Sequence, residues 1–129
     1  MLWVLDPKSL LKLRQVHLHL QKLVEAAVIA APTKFVVFEG MRSLERQKLL
    51  VAEGKSKTMN SRHLTGHAVD LVPLTDGEID WRWPSYVPLA EHIKAIAKSL
   101  NQPIEWGGDW KKFPDGPHWQ LPWSKYPKE

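Results

Sequence analysis

Cysteine is absent from the 129 residues. Disulfides and thiolate metal sites are thereby excluded, so any metal must be held by His, Asp or Glu. Long apolar runs are missing too: no stretch approaches the roughly eighteen residues of a membrane span, and stable membrane insertion is not expected. The N-terminus lacks the basic region and unbroken apolar run of a secretory signal, since Met1-Leu-Trp-Val-Leu5 is interrupted at Asp6. No repeat, linker or low-complexity segment occurs. The expectation is one soluble domain over 1–129, made in a cytoplasm. Charge is in mild positive excess, 18 Lys and Arg against 14 Asp and Glu, for a formal net charge of +4. That balance favours an anionic partner. The cations are scattered, however, and no nucleic-acid-binding motif is present, so nucleic acid is not expected as a partner.

What is there begins with Asp6-Pro7, a helix-start signal. Leu10, Leu13, Val16, Leu20, Leu23, Val24 and Ala27 then recur at three- and four-residue spacing, which predicts a helix ending at Pro32. His17 and His19 ride on it two residues apart, facing different directions, as structural or solvent-facing groups. Phe35 to Phe38 predicts a buried strand. Ser43 caps a second helix, Leu44 to about Glu53, with Gly54 at its end. Ala68 to Val72 reads as a strand stopped by Pro73, Thr75 to Glu78 as a turn, and the stretch to Pro88 as irregular. Leu89 to Leu100 predicts a third helix. Short strands are expected at Pro103–Trp106 and His118–Leu121, flanking a long loop from Gly107 to Pro117. These elements predict an α+β domain, a small mostly antiparallel sheet with about three helices packed on it. Seven tryptophans are many for this length; the expectation is that most fill a small core and one or two line a groove.

The chemistry concentrates in Ser61-x-His63-x-x-Gly66-x-Ala68-x-Asp70 and in Asp115-x-x-His118-x-Gln120. Two histidines and an aspartate are ligands zinc accepts, and three protein ligands leave a fourth tetrahedral position for water. If 66–72 is extended, Gly66, Ala68 and Asp70 share a face, and the small residues leave space in front of the carboxylate. Gly66 would also let the chain turn and bring the His63 imidazole back towards Asp70. Asp115 is placed to handle a proton for the water. Ser61 and Gln120 are candidates to hold neighbouring ligands. His67, at a free position in the motif, and His92, on the third helix, are expected to be structural or exposed. Asp109, after two glycines, is expected to shape a turn or hold a cation. The helical His-Glu-x-x-His zinc site is absent.

The pattern Ser-x-His-x-x-Gly-x-Ala-x-Asp followed by Asp-x-x-His resembles the zinc peptidases of the D-alanyl-D-alanine carboxypeptidase/dipeptidase type. The resemblance runs from about residue 5 to residue 122. It implies a hedgehog/DD-peptidase-like fold, Zn²⁺ held by His63, Asp70 and His118, and Asp115 as the catalytic base. It also implies an arginine matching Arg42, which stands in Gly40-Met41-Arg42-Ser43 where the family often has Tyr before the Arg. Within the family, Val16-His17, Glu105-Trp106-Gly107-Gly108-Asp109-Trp110 and Trp119-Gln120 look like the phage endolysins that cut the L-alanyl-D-glutamate bond of peptidoglycan stem peptides. That implies a single catalytic domain without a separate cell-wall-binding domain, acting as a monomer. It would reach the wall only after a holin-type pore breaches the inner membrane. Two other readings are a D,D-carboxypeptidase or dipeptidase acting on D-alanyl-D-alanine termini, and a zinc-stabilised peptidoglycan-binding module without catalysis. Loss of the base would be expected of the latter, and Asp115 is present.

Overall fold

A computed structural model describes residues 3–56 and 58–127; the start of the N-terminal run, Met1-Leu2, lies outside them. Among the described residues four α-helices and five strands form an α+β domain: α1 (Pro7–Leu13), α2 (Leu18–Val28), β1 (Phe35–Glu39), α3 (Leu44–Ala52), β2 (Ala68–Thr75), β3 (Glu78–Ile79), α4 (Trp83–Ser99), β4 (Glu105–Trp106) and β5 (His118–Gln120). The sheet runs β1-β2-β5-β4, with β3 paired to β2, and every pairing is antiparallel.

The sheet register places the functional residues. Opposed residues on antiparallel strands point to the same face. Asp70 on β2 lies opposite Glu39 of β1 and opposite His118 of β5. These three acidic and imidazole side chains therefore form a row across one face. The intervening positions Val37, Val69, Leu71 and Trp119 face the other way into the core, where they meet Leu13, Leu20 and Leu23 of the first two helices and Leu89 and Ile93 of α4. Trp83, Trp106 and Trp119 stack in a ladder with ring centroids 5.8 Å apart at each step.

The single helix expected from Asp6 to Pro32 is two. Asp6 caps α1 as anticipated, its carboxylate accepting from Ser9 N and Ser9 Oγ. The chain then breaks at residues 14–17, and His17 caps α2 by accepting from His19 N. The break has a partner that periodicity cannot reveal. His17 N donates to the carbonyl of Gly66 at 2.8 Å, and Gly66 packs against the backbone of Gln15 and Val16. One peptide group leaves the helical ladder and bonds instead to the turn that carries His63.

Two proline positions also differ from expectation. Pro73 does not stop β2, which continues to Thr75. Pairing with β5 has already ended at Asp70, so the missing Pro73 N–H lacks no partner there, and the Pro73 carbonyl accepts from Asp80 N. The stretch expected to be irregular is the start of α4. Pro84 sits in the first turn, where no intrahelical donor is needed. Pro88 removes one ladder bond, and Tyr86, Leu89, Ala90, Ile93 and Ala97 bury a continuous apolar face that outweighs it. Asp76 and Gly77, both at positive φ, make the tight β2–β3 turn.

Candidate metal centre and active site

His63 lies on a 3₁₀ turn, Arg62–Thr65, capped at its start by Ser61 Oγ accepting from His63 N, and closed by Gly66 at φ 75°. The left-handed glycine sends the chain into β2 and leaves the His63 ring over Asp70. Gly66 is not part of the strand and does not open space before Asp70, contrary to the expectation; it faces the α1–α2 break. Ala68, fully buried, begins the strand. Ser61 holds the backbone of the turn rather than an imidazole ring.

The rings are held by other groups. His63 Nδ1–H donates to the Gly40 carbonyl at 2.8 Å, leaving Nε2 directed at Asp70 Oδ1, 3.2 Å away. His118 Nε2–H donates to Gln120 Oε1 at 2.8 Å, and its Nδ1 lies 3.5 Å from the same Asp70 oxygen. Gln120 is fixed in turn by donating to Glu105 Oε1 at 3.3 Å. Each imidazole thus has its outward nitrogen tied and its inward nitrogen free to bind, the arrangement by which outer partners set the tautomer of metal ligands. One ligand atom from each of His63, Asp70 and His118 lies within 4.8 Å of the other two.

Electrostatics reinforce the convergence. Burial raises the Asp70 pKa, but the neighbouring His63 and His118 outweigh it and hold the carboxyl well below the usual carboxylate range. Burial likewise disfavours protonated His118, and contact with Asp70 reverses the balance and lifts it. The site therefore keeps an ionised carboxylate between two imidazoles. Two nitrogen donors and one carboxylate within reach of a single ion, with no thiolate, suit a zinc ion better than Ca²⁺ or Mg²⁺, which take oxygen ligands.

Asp115 lines the same cleft, of about 780 Å³, which also contains His63, Asp70 and His118. Its backbone is set from both sides: Asp115 N donates to Gly107 O, and its carbonyl accepts from His118 N. Burial and the adjacent Asp70 charge push the Asp115 carboxyl above its ordinary pKa. It is the more basic of the two carboxylates, as a proton acceptor should be. Gly107 is required by this packing, because a Cβ there would stand 2.5 Å from Asp115 O and 2.9 Å from His118 Cβ.

Arg42 also lines the cleft, yet it is committed elsewhere. Its Nε and NH2 pair with the Glu39 carboxylate at 2.8 Å each, and NH1 donates to Gln47 Oε1 at 2.7 Å. NH2 is 3.8 Å from Asp70 Oδ2. Glu39 and the fully buried Gln47 carried no signal in the sequence, where each reads as an ordinary surface polar residue. Arg62 was also missed. It is buried, donates to Leu121 O and Tyr126 O, and stacks on Trp123, clamping the turn that carries His63 to the chain after β5.

The remaining candidates lie apart from this centre. His67 contacts Thr65 Oγ1, and its ring lies 5.4 Å from that of His17. His17 and His19, expected to diverge, meet edge to face at 4.8 Å because His17 is a cap and not a helical residue. His92 is half-buried, not a free surface group, and its Nε2 bonds Ala27 O to tie α4 to α2. Asp109 pairs with Lys94 at 2.6 Å. Trp106 and Trp119 are core; Trp81, Trp110 and Trp123 line the cleft.

Two histidines and an aspartate that could hold one metal ion, beside a second carboxylate on a small antiparallel sheet, point to the class of metal-dependent hydrolases. The family described as phage L-alanyl-D-glutamate peptidase matches residues 1–120, and the chain belongs to that family. It is 36% identical over 91 residues to the L-alanyl-D-glutamate peptidase of Listeria phage A118, covering 70% of this chain and 31% of that protein. The chain therefore spans about a third of the length of that phage enzyme. It is 32% identical over 117 residues to the peptidoglycan L-alanyl-D-glutamate endopeptidase CwlK of Bacillus subtilis (strain 168), covering 76% of this chain and 66% of that one. The crystal structure of the Serratia marcescens L-Ala D-Glu endopeptidase ChiX superposes with a TM-score of 0.89 at 40% identity, covering 96% of this chain and 94% of that chain.

Proposed function

We propose that this protein is a zinc peptidase that hydrolyses the L-alanyl-D-glutamate bond of peptidoglycan stem peptides and serves as a phage endolysin. The observation that carries the reading is the convergence of His63 Nε2, His118 Nδ1 and the Asp70 carboxylate beside Asp115, in a chain of this family. His63, Asp70 and His118 would hold zinc, which when bound would supply Lewis-acid chemistry to a water and to the peptide carbonyl. Asp115 takes the proton of the attacking water and returns it to the leaving amine. Its raised pKa suits both halves of that task. Gly40 O and Gln120 keep the imidazoles from turning. Arg42, with each guanidinium nitrogen already partnered, acts first by fixing Glu39 and Gln47 around the centre, and its charge near Asp70 favours a developing oxyanion.

Among the described residues no helix is long and apolar enough to cross a membrane. We propose that the enzyme reaches the wall through a holin-type pore and acts there as a monomer.

The test is mass spectrometry of fragments released from purified peptidoglycan. New N-terminal D-glutamyl peptides are expected. Release of D-alanine instead would move the assignment to a D,D-carboxypeptidase, and binding without any cleavage would reduce the protein to a wall-binding module.

A further inference from the structure

Phe38 and Trp81 make an aromatic pair on the rim of the catalytic cleft that the hydrolytic reaction does not use. Their rings meet edge to face at 5.0 Å, and both line the cleft. Both are large and exposed, Phe38 to 42% and Trp81 to 54%. A contiguous exposed apolar patch continuous with a polar cleft is a mark of binding.

The pair is also pinned. Trp81 follows Asp80, a buried carboxylate that accepts from Arg82 N and Nε through one oxygen. Its other oxygen accepts from Arg82 NH2, Thr75 Oγ1 and Ser85 Oγ. Asp80 N donates to Pro73 O. Phe38 sits at the irregularity of β1 between Val37 and Glu39, and its carbonyl accepts from Lys12 Nζ at 2.8 Å. Two rigid rings held out on fixed backbone present contact area with little ordering cost on binding.

We propose that Phe38 and Trp81 form a subsite for the amino sugar from which the stem peptide hangs. The proposal rests on the reading of the cleft as an L-alanyl-D-glutamate peptidase site. In a stem peptide the alanine amine is joined through a lactyl group to an N-acetylated pyranose. The saccharide thus begins one residue from the scissile bond, a few ångströms of chain at about 3.5 Å per residue. It must lie at the cleft margin. A pyranose offers a C–H face, weakly positive, that matches the negative face of an aromatic ring, and at this end the substrate carries no carboxylate. Beyond the scissile bond the peptide is anionic, and of the cations lining the cleft Arg42 and Arg62 are already partnered, while Arg46 of α3, Lys55 after it and Lys112 before β5 come from elements other than those that carry the aromatic pair. Charge thereby sorts the two ends of the substrate, carboxylates to the cations and the uncharged sugar to the aromatic rim.

The experiment uses the zinc-loaded protein and two defined substrates. One is a muramoyl tetrapeptide; the other is the same peptide with its alanine amine acetylated and no sugar. Wild type is expected to cleave the muramoyl substrate with the higher kcat/KM. In Trp81→Ala the ratio of the two kcat/KM values falls by about tenfold, Phe38→Ala lowers it in the same direction, and Trp81→Phe restores most of it. A wild-type ratio near one, or a ratio untouched in both alanine variants because both substrates fall together, overturns the proposal. Wild type that cleaves neither substrate refutes the underlying peptidase reading instead, so the two failures are distinct.

Discussion

Asp70 and Asp115 carry the same functional group into opposite surroundings. Asp70 lies between two imidazoles that keep it ionised, and Asp115 lies against the cleft wall beside Asp70, which makes its proton harder to lose. Their roles separate in mutants. Asp115→Asn should keep zinc and melt as wild type does, while kcat/KM falls by roughly 10²–10⁴; zinc analysis and a defined-peptide assay check both. If Asp115→Asn loses zinc and Asp70→Asn keeps it, the roles are exchanged. At this scale the convergence of His63, Asp70 and His118 was legible in the sequence, because the three stand in a dense motif with fixed spacing. The sequence also pointed to Gln120, which holds the His118 ring, but was silent on what holds His63 and Arg42. The Gly40 carbonyl is a backbone atom that any residue would supply, and Glu39 and Gln47 acquire their roles only through the register of β1 and the burial of α3.

At the scale of elements, short connections do most of the positioning. Gly107 is packed between Asp115 and His118, so Gly107→Ala must displace the loop that carries the base. A stability loss of roughly 1–3 kcal/mol is expected from such overpacking, with activity falling further than the melting temperature alone explains; thermal melts and the peptide assay separate the two. The break between α1 and α2 is a second such element. His17 caps α2, and His67 faces it, and burial together with neighbouring positive charge holds the pKa of each below the ordinary histidine value. Folding therefore favours their neutral forms. The unfolded chain binds more protons as the pH drops below about 6.5, so the stabilising contribution is present above that pH and is lost as the pH falls towards the lower folded values. The lifted His118 works in the opposite sense, so the readout is a difference: between about pH 7.5 and 5.5 metal-free wild type should lose melting temperature relative to His17→Asn, which keeps a capping side chain. An equally steep profile in the variant would remove His17 from the account. The helix break was not legible from apolar periodicity, since Leu13, Val16 and Leu20 keep helical spacing across it. Only the distant Gly66 carbonyl shows where the ladder is interrupted. Strands β1 and β5, by contrast, were visible as short β-rich runs. The start of α4 was hidden by Pro84 and Pro88, whose local cost is overcome by burial that local sequence does not display.

For the whole molecule, the net charge of +4 is opposite in sign to the anionic wall polymer proposed as its substrate, but such a charge aids retention at a surface rather than passage through a membrane. Expression in a bacterial cytoplasm is accordingly expected to leave cells intact until a pore-forming partner is co-expressed, with turbidity as the readout. Prompt lysis without a partner would demand a transport route of its own. The three-residue centre bears the central claim, and it is tested most directly by zinc titration of the metal-free protein with cleavage of a defined L-alanyl-D-glutamyl peptide followed in parallel. Binding of one zinc per chain is expected, with activity rising in proportion to occupancy and both signals abolished in His63→Ala and His118→Ala. Full cleavage by the metal-free protein, or undiminished zinc binding in those two variants, would contradict the account.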